Sequence, residues 1–188
     1  VSIRMMLANR LVDLIGDGMD VAVRLAALPD SSLSAIRVGE VRTLLCASPD
    51  YLRRAGSPAK PEDLSSHQCI GLDTTSDAEL WPFAMPEKPE RLRSVRVRPR
   101  LRVNSAAALI DAALRGRGII AARSYQVAQH LAAGQLVRLL ARFEGPPVPV
   151  HVIFSAHVGA DAARRAFIDH VTHGLRMTLR SLPEAVAS

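Results

Sequence analysis

Aromatic residues are scarce in this chain. Only 4% of its 188 residues are aromatic, which leaves little material for stacking on single-stranded nucleic acid. Its apolar runs are interrupted by Arg, Asp or Gly well short of the roughly 18 residues that a membrane span needs. The opening residues, VSIRMML, also lack the basic start and cleavage site of a signal peptide. The sequence therefore predicts a globular chain with no membrane partner.

Cysteine is scarce as well. Cys46 and Cys69 both lie inside apolar runs, TLLCAS and QCIGL. This placement is typical of reduced, buried thiols and not of a disulfide framework. It favours a cytoplasmic protein.

Acidic residues are missing from one stretch, and this stretch accounts for the positive charge of the whole chain. The net charge is +6, and the segment RLRSVRVRPRLR, residues 91–102, holds six arginines and no acid. The remainder balances at 18 basic against 18 acidic residues. Valine or leucine alternates with arginine here, which predicts a strand with one buried and one solvated face: Val95, Val97, Leu101 and Val103 against Arg96, Arg98, Arg100 and Arg102. The favoured interpretation is that the charges and Pro99 discourage edge pairing. A groove for phosphate is the alternative.

Hydrophobic periodicity and turn residues predict alternating strands and helices. A strand, a short helix and a strand open the chain (1–7, 11–15, 20–25), and this βαβ order predicts a parallel first sheet. The later predicted strands are 36–48, 67–72, 94–103, 118–122, 136–140 and 151–156, with a loop or short helix at 74–83 and a linker at 146–150. The later predicted helices are 51–56, 106–118 (capped by Asn104 or Ser105), 125–135 and an amphipathic helix at 161–182. The order indicates an α/β fold.

Motifs for catalysis are absent. The sequence contains no GxSxG, GxGxxG, Walker-type loop or CxxC. His170 and His173 form an HxxH without a suitable third ligand, so a solvated helix face is the favoured interpretation. We expect no enzyme activity, no cofactor and no metal.

The residues nevertheless resemble a known family. The run LVDLIGDGMDVAVRLAALPDSSLSAIRVGEVRTLLCASPDYLRRAGSPAKPEDLSSHQCI is similar to the effector-binding domain of LysR-type transcriptional regulators. Later segments agree in the same order: WPF, RPRLRVNSAAALIDAALRGRGII, YQVAQHLAAGQLVRLL and PPVPVHVIFSAH. The match covers nearly all of the chain. The family's N-terminal helix-turn-helix, its linker helix and the regulatory domain's first strand and helix have no counterpart in this sequence, and Arg123 stands where the family often has Leu-Pro.

The resemblance implies two Rossmann-like subdomains joined by two crossover strands, as in periplasmic binding proteins. Residues 1–45 with 150–188 would form subdomain I, incomplete at its N-terminus, and residues 46–149 subdomain II. The implied function is ligand sensing for a bacterial transcription regulator, with DNA bound only through the absent helix-turn-helix and with a homodimer or higher oligomer as the assembly. A free-standing solute-binding protein of the same architecture is the alternative.

The family's cleft, carried over residue by residue, gives candidate ligand-binding positions at strand ends and helix starts, where backbone donors bind anions. Arg24 and Arg123 would suit a small organic anion. Asn104 and Ser105 are equally well explained as helix caps, and Thr74 and Thr75 as loop solvation. The full set is Asn9, Arg10, Arg24, Thr74, Thr75, Asn104, Ser105 and Arg123, with Ala8 and Asp73 beside them.

Overall fold

The chain forms two compact units. A computed structural model describes residues 3–7, 13–14, 16–28, 33–72, 78–155 and 162–182. The first unit contains Val1–Gly39 and Pro149–Met177, and the second contains Glu40–Val148 and Thr178–Ser188. The two Rossmann-like subdomains with boundaries near residues 45 and 150 stay a prediction of the resemblance.

A three-stranded sheet forms the centre of the first unit. Its strands are β1 (Val21–Leu25), β2 (Ser34–Val41) and β10 (Val148–Phe154), in the order β1-β10-β2. The β1 and β10 strands run antiparallel, with Val21 opposite Phe154. The parallel pairing predicted from the opening βαβ pattern is therefore wrong for β1. The predicted first strand is also absent from residues 3–7, which carry no strand.

The second unit contains a mixed five-stranded sheet. Three adjacent strands, β7 (Leu101–Val103), β4 (Cys69–Leu72) and β8 (Ile119–Arg123), are parallel to one another. The strands β3 (Thr43–Ala47) and β9 (Val137–Leu139) complete the order β7-β4-β8-β3-β9, and β3 runs antiparallel to both of its neighbours. The predicted long strand at 36–48 is thus divided at Arg42 into β2 and β3.

Helices begin where the sequence supplies caps. The helix α2 (Ala106–Leu114) starts after Ser105, whose Oγ accepts a hydrogen bond from the Ala108 amide at 3.2 Å. Gly116 follows its end with φ of 70°, a conformation that glycine adopts without steric cost. The predicted cap and end of this helix are confirmed. The remaining helices are α1 (Pro49–Ala55), α3 (Ser124–Ala132) and α4 (Ala162–Arg180), with 3-10 turns at Pro61–Ser66 and Ala141–Phe143.

A β-hairpin, β5 (Glu79–Met85) with β6 (Lys88–Val97), packs within the second unit. Trp81, Phe83 and Val97 from its inner face are buried in one core cluster. The loop or short helix predicted at 74–83 is therefore wrong over the first part of β5. Aromatic and aliphatic residues alternate there with exposed ones, but Pro82 and the brevity of the run obscured the strand period.

The predicted arginine-striped strand is divided in two. Residues 88–97 pair in the hairpin, whereas residues 101–103 form β7 at the edge of the five-stranded sheet. Pro99, which lacks a backbone donor, lies at the break. The alternation of faces consequently shifts: Leu101, expected inside, is 40% exposed, and Arg102, expected outside, is turned inward.

Arg102 lies inside because glycine leaves room for its partner. Arg102 is opposite Gly71 in the β4–β7 register, and the Glu79 carboxylate occupies the space that a Gly71 side chain would need. The Arg102 Nη1 lies 3.6 Å from Glu79 Oε1, with side-chain exposures of 21% and 17%. Glu79 Oε2 also accepts a hydrogen bond from Trp81 Nε1 at 2.9 Å. This ion pair joins the hairpin to the edge of the sheet.

Three smaller predictions can be compared with the structure. Cys46 and Cys69 are free and buried, as expected. The terminal amphipathic helix is confirmed as α4, whose buried residues are Ile168 and Thr172. The linker predicted at 146–150 is wrong from Val148 onward, because β10 begins there. No helix among the described residues is both long and apolar enough to cross a bilayer.

Candidate functional site

The carboxyl ends of three parallel strands meet at one edge of the second unit's sheet. Leu72 at the end of β4 is opposite Val103 at the end of β7, and β8 runs in the same direction on the other side of β4. The chain leaves β7 through Asn104 and Ser105 into α2, and it leaves β8 directly into α3. Two helix N-termini therefore lie at this edge. We call it the carboxyl edge, defined by Thr43, Asn104, Ser105 and Arg123.

Arg123 is the cationic group of the carboxyl edge. It is half-buried at the end of β8, opposite Thr43 in the antiparallel register. Its Nη1 donates to Thr43 Oγ1 at 2.5 Å, and its backbone amide donates to Gln126 Oε1 at 3.0 Å. A guanidinium carries five N–H donors, and within the described residues only this bond to Thr43 engages the Arg123 side chain. Its other donors have no partner among the described residues.

The start of α3 is held in place by a buried serine. Ser124 is 2% exposed. Its Oγ accepts from the Arg42 amide at 3.1 Å, and its own amide donates to the Arg42 carbonyl at 2.8 Å. Sequence reasoning missed both Ser124 and Thr43. Ser124 stands immediately before the helix predicted at 125–135, a cap position that could have identified it.

The predicted ligand-binding residues are distributed unevenly. Asn9, Arg10, Thr74 and Thr75, with their neighbours Ala8 and Asp73, lie outside the described residues. The structure brings Asn104, Ser105 and Arg123 together at the carboxyl edge. Arg24 belongs to the first unit, where it is opposite His151 in the β1–β10 register. Ser105 caps α2, as one interpretation of the sequence had it, and ligand contact by any of the eight residues stays a prediction.

The ionisable groups offer little for catalysis. Burial raises the pKa of the Cys46 and Cys69 thiols from 9.0 to about 12, so both stay protonated near neutral pH and are poor nucleophiles. His170 and His173 are exposed on α4. Among the residues that the structure describes, no three His, Cys, Asp or Glu side chains are grouped to hold a metal ion.

Comparison with known proteins places the chain in a family. The family model for the LysR substrate binding domain matches residues 1–176. An HTH-type transcriptional regulator from Xanthomonas campestris pv. campestris is 32% identical over 173 residues, a match that covers 90% of this chain and 49% of the relative. The HTH-type transcriptional activator AaeR of Escherichia coli is 36% identical over 145 residues, covering 76% and 45%. The chain belongs to the LysR substrate-binding domain family, and it spans about half the length of these curated relatives.

Solved structures of LysR-type regulators are similar to the fold of this chain. CrgA, a LysR-type regulator from Neisseria meningitidis, matches with a TM-score of 0.76 and 27% identity over 86% of this chain and 54% of CrgA. The full-length virulence activator AphB of Vibrio cholerae matches with a TM-score of 0.78 and 26% identity over 93% of this chain and 58% of AphB. The predicted family and the predicted periplasmic-binding-protein-like α/β fold class are confirmed.

Proposed function

We propose that this chain is the effector-sensing domain of a transcription regulator and that it binds a small organic anion at the carboxyl edge. The observation that supports the proposal most directly is the half-buried Arg123 guanidinium, with one side-chain hydrogen bond within the described residues and with α3 starting beside it. A guanidinium pairs bidentately with a carboxylate, and a helix N-terminus adds backbone donors and a partial positive charge.

The wider role rests on the relatives. The proteins named above are helix-turn-helix regulators about twice as long as the matched segment. We propose that effector binding to this domain modulates DNA binding by a homo-oligomer in the cytoplasm. Ligand contact by Arg24 of the first unit stays a prediction. A free-standing solute-binding protein has no support among these relatives, and we propose no enzymatic activity.

Thermal unfolding with matched ligands tests the effector class. A ligand that binds only the folded state adds about 2.7 kcal/mol of stability at a hundred times its Kd. Aliphatic and aromatic carboxylates should raise Tm, whereas neutral amides of the same shape should not. Equal stabilisation by amides and acids would contradict the anion assignment.

Two substitutions locate the binding site. Arg123→Gln should reduce the Tm increase that the best carboxylate produces, because it removes the cationic partner at the carboxyl edge, whereas Arg117→Gln should not. Arg117→Gln is the matched control, since Arg117 is exposed just before the start of β8, at the other end of that strand from Arg123. The comparison uses the ligand-induced shift of each variant and not its basal Tm. If Arg123→Gln keeps the full shift, the site is not at this edge.

A further inference from the structure

Three arginines are exposed at the end of the hairpin and in the segment that follows it. Arg96 lies in β6, and Arg98 and Arg100 lie between β6 and β7; we call the three the arginine stripe. The residues between them are less exposed: Val97 is 2% exposed, and the ring of Pro99 lies close to Gly71. Leu80, opposite Arg96 in the register, is 63% exposed. The stripe is therefore open to solvent.

The stripe differs from Arg93 and Arg102 in its lack of partners. Arg93 pairs with Glu62 at 2.8 Å, and Arg102 pairs with Glu79. None of the three stripe side chains makes an ion pair or hydrogen bond with any described residue. Intramolecular ion pairs therefore explain Arg93 and Arg102 but leave the three exposed charges of the stripe unexplained.

The grouping of the stripe suits an extended polyanion better than a small ligand. Its three exposed guanidinium groups belong to a five-residue run, 96–100, that begins at the end of β6 and reaches β7. No acidic residue interrupts this run. A small carboxylate can engage one guanidinium, whereas a row of phosphates can engage all three, and arginine suits phosphate because its planar fork donates two parallel hydrogen bonds.

We propose that the arginine stripe contacts the phosphate backbone of double-stranded DNA without reading its sequence. The choice of DNA rests on the proposed function, since the relatives are helix-turn-helix regulators and DNA is the polyanion that such a protein encounters. Exposed guanidiniums of this segment can neutralise phosphates, but they present no helix to the major groove, where base edges are read. The contact would add to operator binding without adding specificity.

The salt dependence of duplex binding tests the proposal on the 188-residue chain. Each phosphate contact contributes about 0.9 to the slope of log Kobs against log salt, so three contacts contribute about 2.7, or roughly a 40-fold loss of affinity between about 50 and 200 mM salt. Fluorescence anisotropy with two labelled duplexes of unrelated sequence should give the same slope for both. The triple variant R96Q/R98Q/R100Q should lose about 2.7 units of slope.

A control with the same change in net charge separates a local contact from general attraction. Arg117, Arg142 and Arg180 are exposed on separate parts of the chain and have no ion pair with a described residue. The variant R117Q/R142Q/R180Q should lose less than about one unit of slope. Equal losses in the two triple variants would overturn the proposal, as would absence of duplex binding by the wild-type chain at about 50 mM salt. Stripe-dependent binding to phosphatidylserine vesicles without a slope change on DNA would overturn it in favour of a membrane surface.

The effector proposal is tested separately on the same variants. The stripe variant should keep the Tm increase produced by the best carboxylate, because its substitutions are outside the carboxyl edge. If the salt slope of DNA binding depends on the stripe but no carboxylate raises Tm, only the effector proposal is contradicted. If a carboxylate raises Tm but the salt slope does not depend on the stripe, only the DNA contact is contradicted.

Discussion

Arg42 and Ser124 exchange two hydrogen bonds although they are 82 positions apart in the chain. Arg42 is the single residue between β2 and β3, and Ser124 is the first residue of α3. The pair therefore fixes the break between two strands against the start of a helix. Because Arg123 immediately precedes Ser124, this contact also orients the main cation of the carboxyl edge.

Removing the Ser124 hydroxyl should destabilise the protein. Ser124→Ala leaves the part-buried Arg42 amide without its acceptor, which should cost about 1–3 kcal/mol in the free energy of unfolding. Urea denaturation measures the loss. Ser66→Ala is the control, because the exposed Ser66 donates only to the Asp63 carbonyl within its own turn. Equal losses in the two variants would show that the Arg42–Ser124 contact has no special weight.

Gly71 should tolerate no side chain. A methyl group there would collide with the Glu79 carboxylate and would lie 2.7 Å from Pro99 Cγ. Gly71→Ala should therefore displace Glu79 from Arg102 and Trp81 and lower the stability by about 1–3 kcal/mol. Trp81 is the only tryptophan, so its fluorescence should change as well.

The same substitution, glycine to alanine, should stabilise the protein at Gly174. It lies within α4, is exposed, and a methyl group added to its Cα would meet nothing within 4 Å among the described residues. Gly174→Ala should raise the stability by about 0.5–1 kcal/mol, because alanine favours a helix over glycine. A destabilisation of similar size at both positions would contradict the close packing assigned to Gly71.

Local signals in the sequence were sufficient for the helices but not for strand partners. The cap at Ser105 marks the start of α2, and the glycine at 116 marks its end. Both signals act within a few residues, so they are encoded locally. The antiparallel pairing of β1 with β10 joins Val21 to Phe154, and no local pattern specifies a contact over that distance. The inward position of Arg102 depended similarly on Gly71, a residue outside the arginine segment.

The candidate site was predicted only in part, because some of its contacts also join distant parts of the chain. The resemblance to the family supplied Arg123, which also follows a predicted strand and precedes a predicted helix, a position with exposed backbone donors. Its hydrogen bond to Thr43 could not be predicted, because β3 pairs with β8 in an antiparallel direction. The resemblance supplied the other seven residues as well, and four of the eight lie outside the described parts of the chain.

The ion pair between Arg138 and Glu144 should contribute much more to stability than exposed pairs do. Arg138 Nε and Nη2 donate to the two Glu144 oxygens at 2.6 Å each, and Glu144 is 5% exposed. The hydrogen bond to Glu144 raises the pKa of Arg138. Glu144→Gln should cost about 3–5 kcal/mol, because it removes the carboxylate charge that faces a largely buried cation.

An exposed pair provides the comparison. Arg115 and Asp111 lie one turn apart at the end of α2, with side chains 70% and 60% exposed. Asp111→Asn should cost less than about 1 kcal/mol. Denaturant unfolding of both variants measures the difference. If Glu144→Gln costs no more than Asp111→Asn, water screens the buried pair as fully as the exposed one.

The two buried thiols should make the protein sensitive to alkaline pH. Burial raises the pKa of Cys46 and Cys69 from 9.0 to about 12, with smaller contributions from Glu144 and Glu79 respectively. A thiol whose pKa is raised by folding ionises first in the unfolded chain. Its contribution to stability is therefore complete below about pH 9 and declines as the pH rises toward 12. The decline amounts to about 1.4 kcal/mol per pH unit for each thiol.

Cysteine substitution separates this effect from other alkaline titrations. Urea unfolding of the wild-type protein and of Cys46→Ala, under reducing conditions from about pH 8 to 11, gives two curves of stability against pH. The curves should be parallel below about pH 9, offset by the cost of the smaller side chain, and should converge above it by about 1.4 kcal/mol per pH unit. Cys69→Ala should behave in the same way, since the two thiols lie in different core clusters. Curves that stay parallel up to about pH 11 would show that the folded thiols ionise as readily as unfolded ones, which would contradict their burial.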